Sequence, residues 1–182
     1  IRTDSRGYVF FQRRGYELVQ KEVSYYLQLE KFYIPADVQK HIMELKQQGI
    51  RVAWFDGARN FGYEEMFGRL RDQSFLKKFR DGIREHKKIL IVEDRDGRVI
   101  GTAGTVYPEK NGRGFFSALA VDPADGGKGI GNVLFFSLCQ ELKNMGAEYM
   151  TIFVTETNFA RRIYEKAGFS VVQEWAILKK TV

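Results

Sequence analysis

The densest chemical potential in the chain lies in Gly126-Gly127-Lys128-Gly129-Ile130-Gly131, where four of six residues are glycine. Glycines let backbone N–H groups approach a ligand closely. If a helix opens at the end of such a loop, its unpaired N–H donors and its dipole add to the effect. Together they hold a phosphate without needing a cationic side chain. A plain strand-to-helix turn would not need this many glycines. A nucleotide P-loop would need Ser or Thr after its lysine, and Gly129 follows Lys128. A dinucleotide fingerprint would sit after the first strand of a parallel unit, with an acidic residue about 20 positions on. Here several strand candidates precede the loop, and Thr151-Ile152-Phe153 occupies the next one.

The elements that must position this loop are legible on both sides of it. Arg51 to Phe55 is a short strand candidate ending at Asp56-Gly57. From Asn60 to His86, Met66, Phe67, Leu70, Leu76, Phe79 and Ile83 recur at helical spacing with a break near Gln73-Ser74, which predicts two short helices. Ile89 to Val92 and Val99 to Tyr107 read as strands joined by the Asp94-Arg95-Asp96-Gly97 turn. A further strand runs from Gly114 to Val121 and stops at Asp122-Pro123. After the loop, Ile130, Val133, Leu134, Leu138, Leu142 and Met145 outline an amphipathic helix closed by Gly146. Tyr149 to Val154 is a strand, Phe159 to Ala167 a helix capped by Gly168, and Val171 to Leu178 one or two final strands. The pattern predicts an α/β (α+β) domain with a single sheet.

Leu119-Ala120-Val121-Asp122-Pro123, followed by Gly126 to Gly131 and then Leu134, resembles the acyl-CoA-binding motif of the GNAT superfamily of N-acyltransferases. That motif reads Arg or Gln, two residues, Gly, one residue, Gly or Ala; Gly126 departs from it at the first place. Asn158 to Phe169 is similar to the family's C-terminal signature, with Ala160, Tyr164, Gly168 and Phe169 in register and Asn158 one place closer to the tyrosine than usual. The resemblance covers about Ile50 to Val182. It implies the GNAT fold, a mixed but mostly antiparallel central sheet flanked by helices, and acetyl-CoA as cosubstrate without a metal. It implies further that the strand through Leu119, Ala120 and Val121 pairs with the pantetheine arm. The loop from Gly126 and Gly127, through the amides of Lys128, Gly129, Ile130, Gly131 and Asn132, would cradle the pyrophosphate, and Asn158 and Tyr164 would touch CoA.

The reaction implied is transfer of an acetyl group to a primary amine by direct attack. It needs a neutral amine, a polarised carbonyl and a proton for the departing thiolate. The resemblance assigns that proton to Tyr164, a phenol protonated at neutral pH because such groups titrate near about 10. A backbone N–H on the strand from Phe116 to Val121 would polarise the carbonyl. For the general base, Glu156 and Ser117 with a bound water both stand open, and Glu64 and Glu65 could shape the amine pocket. A CoA-binding module without catalysis is the alternative, favoured by Gly126 and the shifted Asn158 and opposed by Tyr164. His41 and His86 have no partner at metal-ligand spacing and receive no catalytic role.

Residues 1–49 read differently. Phe10 to Gln20 is similar to Ile163 to Gln173 without a gap, with Gly15 falling on Gly168 and Phe11 on Tyr164. This predicts the tail of an upstream GNAT-like repeat, a strand pair, with a connecting helix before residue 50. A stretch such as Ser24 to Leu29 would then be an orphaned strand that pairs with this domain's sheet or with a second chain, a route to a homodimer.

An apolar share of 44% and an aromatic share of 14% suit a packed core and exclude wholesale disorder. No apolar run approaches the roughly 20 residues that cross a bilayer. The single cysteine, Cys139, sits among Phe135, Leu138 and Leu142 as a packing residue; it favours a reducing cytoplasm as the expected location. The net charge of +6 comes from scattered Lys and Arg residues. With no aromatic-basic interleaving, the charge suits a polyanionic ligand and gives no case for nucleic acid.

Overall fold

The computed structural model describes residues 1–158 and 160–180. Its helices are α1 (Arg6–Gln12), α2 (Ala36–Gln47), α3 (Tyr63–Leu70), α4 (Gln73–Arg84), α5 (Ile130–Asn144) and α6 (Arg161–Lys166). Its strands are β1 (Glu17–Gln28), β2 (Arg51–Trp54), β3 (Ile89–Glu93), β4 (Val99–Pro108), β5 (Arg113–Phe116), β6 (Ala120–Val121), β7 (Tyr149–Thr155) and β8 (Ser170–Lys179). The chain divides into a continuous unit, Leu29–Glu148, and a discontinuous one made of Ile1–Gln28 and the chain from Tyr149 onward. These divisions fall elsewhere than the repeat boundary expected near residue 50.

In the continuous unit β2, β3 and β4 pair antiparallel in that order, and β4 pairs with β5 near one end and β6 near the other. β3 and most of β4 are buried, as their unbroken apolar runs require. Met66, Phe67, Leu76 and Phe79 from α3 and α4 pack with Ile89, Ile91 and Val99 of the sheet. Gly82 lets α4 approach closely: a Cβ there would lie 2.6 Å from the Thr105 methyl. Helix α5 is buried along much of its circumference, Ile130, Val133, Leu134, Phe135, Phe136, Leu138, Cys139 and Leu142 included. Helix α2 places Val38 and Leu45 inside. Burial pushes the Cys139 thiol well above its ordinary range, which makes it a packing group as expected.

The expected strand from Gly114 to Val121 is interrupted at Ser117–Leu119. The cause lies on β4, which bulges at Gly104: the register against β3 slips, Leu90 facing Gly104 and Ile91 facing Thr102. Gly104 adopts φ +67, and a Cβ there would fall 2.1 Å from Ser117 Oγ, so no other residue fits. The Ser117 hydroxyl fills the gap by accepting from the Thr105 N–H at 2.9 Å.

In the discontinuous unit β1 pairs antiparallel with both β7 and β8. The expected orphaned strand is thus longer than Ser24–Leu29 and is taken up within this sheet on both sides. Two matching turns flank it. The Tyr16 N–H donates to Phe11 O and the Gly15 N–H to Gln12 O; likewise the Phe169 N–H donates to Tyr164 O and the Gly168 N–H to Glu165 O. Gly15 and Gly168 both have positive φ, the left-handed helix end that glycine favours. The expected start of the helix at Phe159 lies outside the described residues, as do residues 181 and 182.

Candidate active site

The glycine loop connects β6 to α5 through a short turn of Pro123–Asp125. Asp122, completely buried, accepts from the Ala124 N–H at 3.0 Å and fixes that turn. Two guanidiniums neutralise the buried charge. Arg69 of α3 donates to both Asp122 oxygens, with Nε to Oδ1 at 2.8 Å, and Arg98 reaches Asp122 at 3.5 Å and Asp125 at 3.0 Å. The hydrogen bonds from Arg69 hold the Asp122 carboxyl below its ordinary range, against the opposing cost of burial. Lys128 Nζ turns back onto Asp125 at 2.7 Å, so this cation is spent on the loop itself.

What the loop leaves available is its backbone. Among the described residues, none of the hydrogen bonds uses the N–H of Gly127, Lys128, Gly129, Ile130 or Gly131. These donors cluster at the start of a helix of 15 residues. Donors so placed are of the kind that helix N-termini offer to anions. The Asn132 N–H is already committed, at 3.1 Å, to Gly129 O. Its side-chain Oδ1 is buried without a partner among the described residues. Of the amides expected to face a ligand, the Asn132 N–H is thus the one with an acceptor inside the loop. Gly126 has φ −61, a conformation open to any residue, and its Cβ position meets only Pro123 O at 3.2 Å. Its departure from the family pattern is thus not imposed by the backbone.

Upstream of the loop, Ala120 and Val121 pair with Thr102 and Gly101 of β4. Leu119, in the interruption, is half-buried, and no acceptor for its N–H is found among the described residues. An N–H freed by a bulge beside a strand is the type of donor that can polarise a carbonyl. Near Ser117 a cleft of about 280 Å³ is lined by Asp81 and Gly82 of α4, by Glu85 just after it and by Thr105 and Tyr107 of β4. Glu64 and Glu65 do not line it, and Glu64 is engaged by Arg80 on the surface.

The second motif belongs to the discontinuous unit. Tyr164 is buried on α6, with its ring edge-on to Tyr25 of β1 at 5.9 Å between centroids and 6.1 Å from Phe169. Burial, and secondarily Tyr25, raise its phenol above the ordinary range, so it carries its proton at neutral pH. The Tyr25 hydroxyl is itself fixed between Arg161 Nε at 2.9 Å and Glu165 Oε1 at 3.2 Å. Asn158 Oδ1 accepts from the Ala160 N–H at 2.8 Å and so shapes the turn into α6. Glu156 is exposed, with its N–H bonded to Lys21 O and its carbonyl accepting from Arg161.

Sequence reading missed Arg69, Arg98, Asp125 and Tyr25, all of which act by supporting the motif residues. It also passed over His41, whose ring lies against the glycine loop. Each depends on a contact between distant chain positions. Among the described residues no group of His, Cys, Asp and Glu side chains could hold a metal, and no helix is long and apolar enough to cross a membrane.

A family model described as an acetyltransferase (GNAT) domain matches residues 43–177. The mycothiol acetyltransferase of Propionibacterium freudenreichii is 33% identical over 87 residues, which span 46% of this chain and 28% of that protein. Among solved structures, the GCN5-related glucosamine N-acetyltransferase region of a fungal multi-domain GH3 β-N-acetylglucosaminidase aligns over 98% of this chain and 23% of its own. Its TM-score is 0.73 at 13% identity. A GCN5-related N-acetyltransferase from Sphaerobacter thermophilus aligns over 98% of this chain and 57% of its own, with a TM-score of 0.63 at 20% identity. Both are likenesses of fold.

Proposed function

The chain belongs to the GNAT family of N-acetyltransferases, and from that premise we propose that it transfers an acetyl group from acetyl-CoA to a primary amine by direct attack. The observation that carries this reading is the row of five backbone N–H donors, Gly127 to Gly131, left without acceptors among the described residues at the start of α5. A pyrophosphate brings oxygen acceptors of the matching sign. The unpartnered Asn132 Oδ1 adds an acceptor for a ligand donor beside them. Acetyl-CoA supplies the activated thioester. The chain's own residues bind and orient it, present the Leu119 N–H toward a developing oxyanion, and hold a proton on Tyr164 for the thiolate. Glu156 and a water on Ser117 both stay candidates for the base, and the exposure of Glu156 favours Ser117.

Residues 1–49 we read as the tail of an upstream GNAT-like repeat with a connecting helix, supported by the matching helix ends at Gly15 and Gly168. The chain spans 28% of the mycothiol acetyltransferase it matches. The acceptor panel accordingly begins with the substrate of that relative and extends to other primary amines.

The test is calorimetric titration with acetyl-CoA and CoA, followed by turnover of wild type and Tyr164→Phe. Saturable binding and a fall in kcat of about 100-fold or more in the variant are expected, the usual weight of a positioned acid. Unchanged turnover would remove Tyr164 from the mechanism. Binding without turnover of any amine would favour the second reading, a silent CoA-binding module, for which the glycine at 126 speaks.

A further inference from the structure

We infer that His41 is a positioning residue for the pyrophosphate loop, setting the orientation of the Lys128–Gly129 peptide; this rests on the reading of that loop as the CoA site. His41 lies on α2, three residues after the buried Val38 and four before the buried Leu45, so its ring emerges at the flank of the packed face. From there Nε2 stands 2.9 Å from the Lys128 carbonyl oxygen. A carbonyl oxygen can only accept, so Nε2 carries the hydrogen. The other ring nitrogen lies 3.2 Å from the Glu44 carboxylate, one turn further along the same helix.

The consequence follows from peptide geometry. In a trans peptide the carbonyl and the following N–H point to opposite sides of the chain. With the Lys128 oxygen drawn toward α2, the Gly129 N–H is turned away from α2; among the described residues it has no acceptor, and neither have the N–H groups of Ile130 and Gly131. Glycine at 129, with φ +71, can rotate its peptide far more freely than any other residue. A loop this rich in glycine presents its donors only if something outside the loop selects one peptide orientation, and His41 is placed to do so. The same ring explains the residue at 129 independently of φ: a Cβ there would lie 2.5 Å from Nε2. The volume that a side chain would fill is occupied by the imidazole.

Arginine 69 and Arg98 anchor the loop's entrance through Asp122 and Asp125. His41 acts on the middle of the loop, at the peptide whose N–H faces the anion. It touches neither the thioester nor the amine in this assignment and is not a catalytic residue. A simple tether between α2 and the loop is the competing account, and it predicts that any loss at His41 acts through stability alone.

The experiment is CoA titration by calorimetry of wild type, His41→Ala and His41→Gln, with a melting curve for each. Glutamine can donate one N–H to the Lys128 carbonyl, and alanine cannot. The expected result is a Kd for CoA raised about 5- to 10-fold in His41→Ala, the weight of one hydrogen bond selecting the competent loop, and within about twofold of wild type in His41→Gln. Should His41→Ala fail to fold, His41→Phe replaces it, keeping a ring while removing both nitrogens. Equal binding by the Ala variant and wild type overturns the proposal, as does a Gln variant as weak as the Ala variant. Wild type that fails to bind CoA would instead sink the loop assignment on which the proposal stands.

Discussion

Replacing Gly129 by alanine asks the loop two separate questions, and its neighbour Gly127 provides the control. Both glycines sit in left-handed backbone, at φ +71 and φ +78. Either substitution therefore carries the cost of an L side chain in that region, about 1–2 kcal/mol. At Gly127 nothing lies within 4 Å of the new Cβ, so the cost ends there. At Gly129 the Cβ falls 2.5 Å from His41 Nε2. The imidazole is the far end of a flexible side chain and can swing aside, but only by giving up its bond to the Lys128 carbonyl, a further loss of about 1 kcal/mol. Gly129→Ala should thus lose about 2–3 kcal/mol of stability and Gly127→Ala about 1–2. Urea denaturation, with each variant also made in a His41→Ala background, gives the difference directly. In that background the gap between the two glycine variants should close. Equal losses for both with His41 present, or a gap that persists without it, would refute the argument.

Further outcomes follow from the same geometry. Gly126→Gln restores the side chain of the family pattern at a position with ordinary φ and needs only a small adjustment at Pro123 O. It should tighten CoA binding by roughly 3- to 10-fold, as one added hydrogen bond to an anion would, measured by calorimetry. Asp122, whose carboxyl is held low first by the Arg69 hydrogen bonds, contributes stability that is fully present above the unfolded carboxylate pKa of about 4 and is lost as the pH falls through the lower folded value. Asp122→Asn should cost about 2 kcal/mol at pH 7 and flatten the acid limb of a melting-temperature profile between pH 7 and pH 2. An acid limb with the same slope in both proteins would remove Asp122 as its source.

The features legible in sequence are those written in local terms. The break between α3 and α4, the Asp94–Gly97 turn and the stop of α5 before Gly146 each depend on a few adjacent residues, and the structure has each of them. The glycine loop and the Asn158 to Phe169 signature are equally local, and the family resemblance rests on both. What escaped is set by pairs far apart in the chain. The interruption at Ser117–Leu119 arises because Gly104 bulges into space that the Ser117 side chain then fills, and neither residue alone signals it. Arg69 looks like a surface helix residue until Asp122 is brought against it. His41, set aside for lack of metal-ligand spacing, has a carbonyl as its partner, and a carbonyl leaves no mark in sequence. At Asn132 the bond from the N–H to Gly129 O depends on where the helix begins, a boundary that the sequence does not mark.

The pairing of β1 with β7 and β8 has a temporal side. Synthesis delivers β1, the strand that lies between β7 and β8, before either of them, and both partners arrive only after Leu29–Glu148 has been made. The stretch Leu29–Glu148 contains β2 to β6, which pair among themselves, and all of them are made before either partner of β1. Residues 17–28 must wait, with Val23, Tyr25 and Leu27 still uncovered, for loop closures that are intrinsically slow. During that interval the strand is an open template on both edges. A nascent chain stalled before Tyr149 would therefore be a species prone to aggregate, and Tyr164, made after β7, acquires its buried setting only when β1 is put to use.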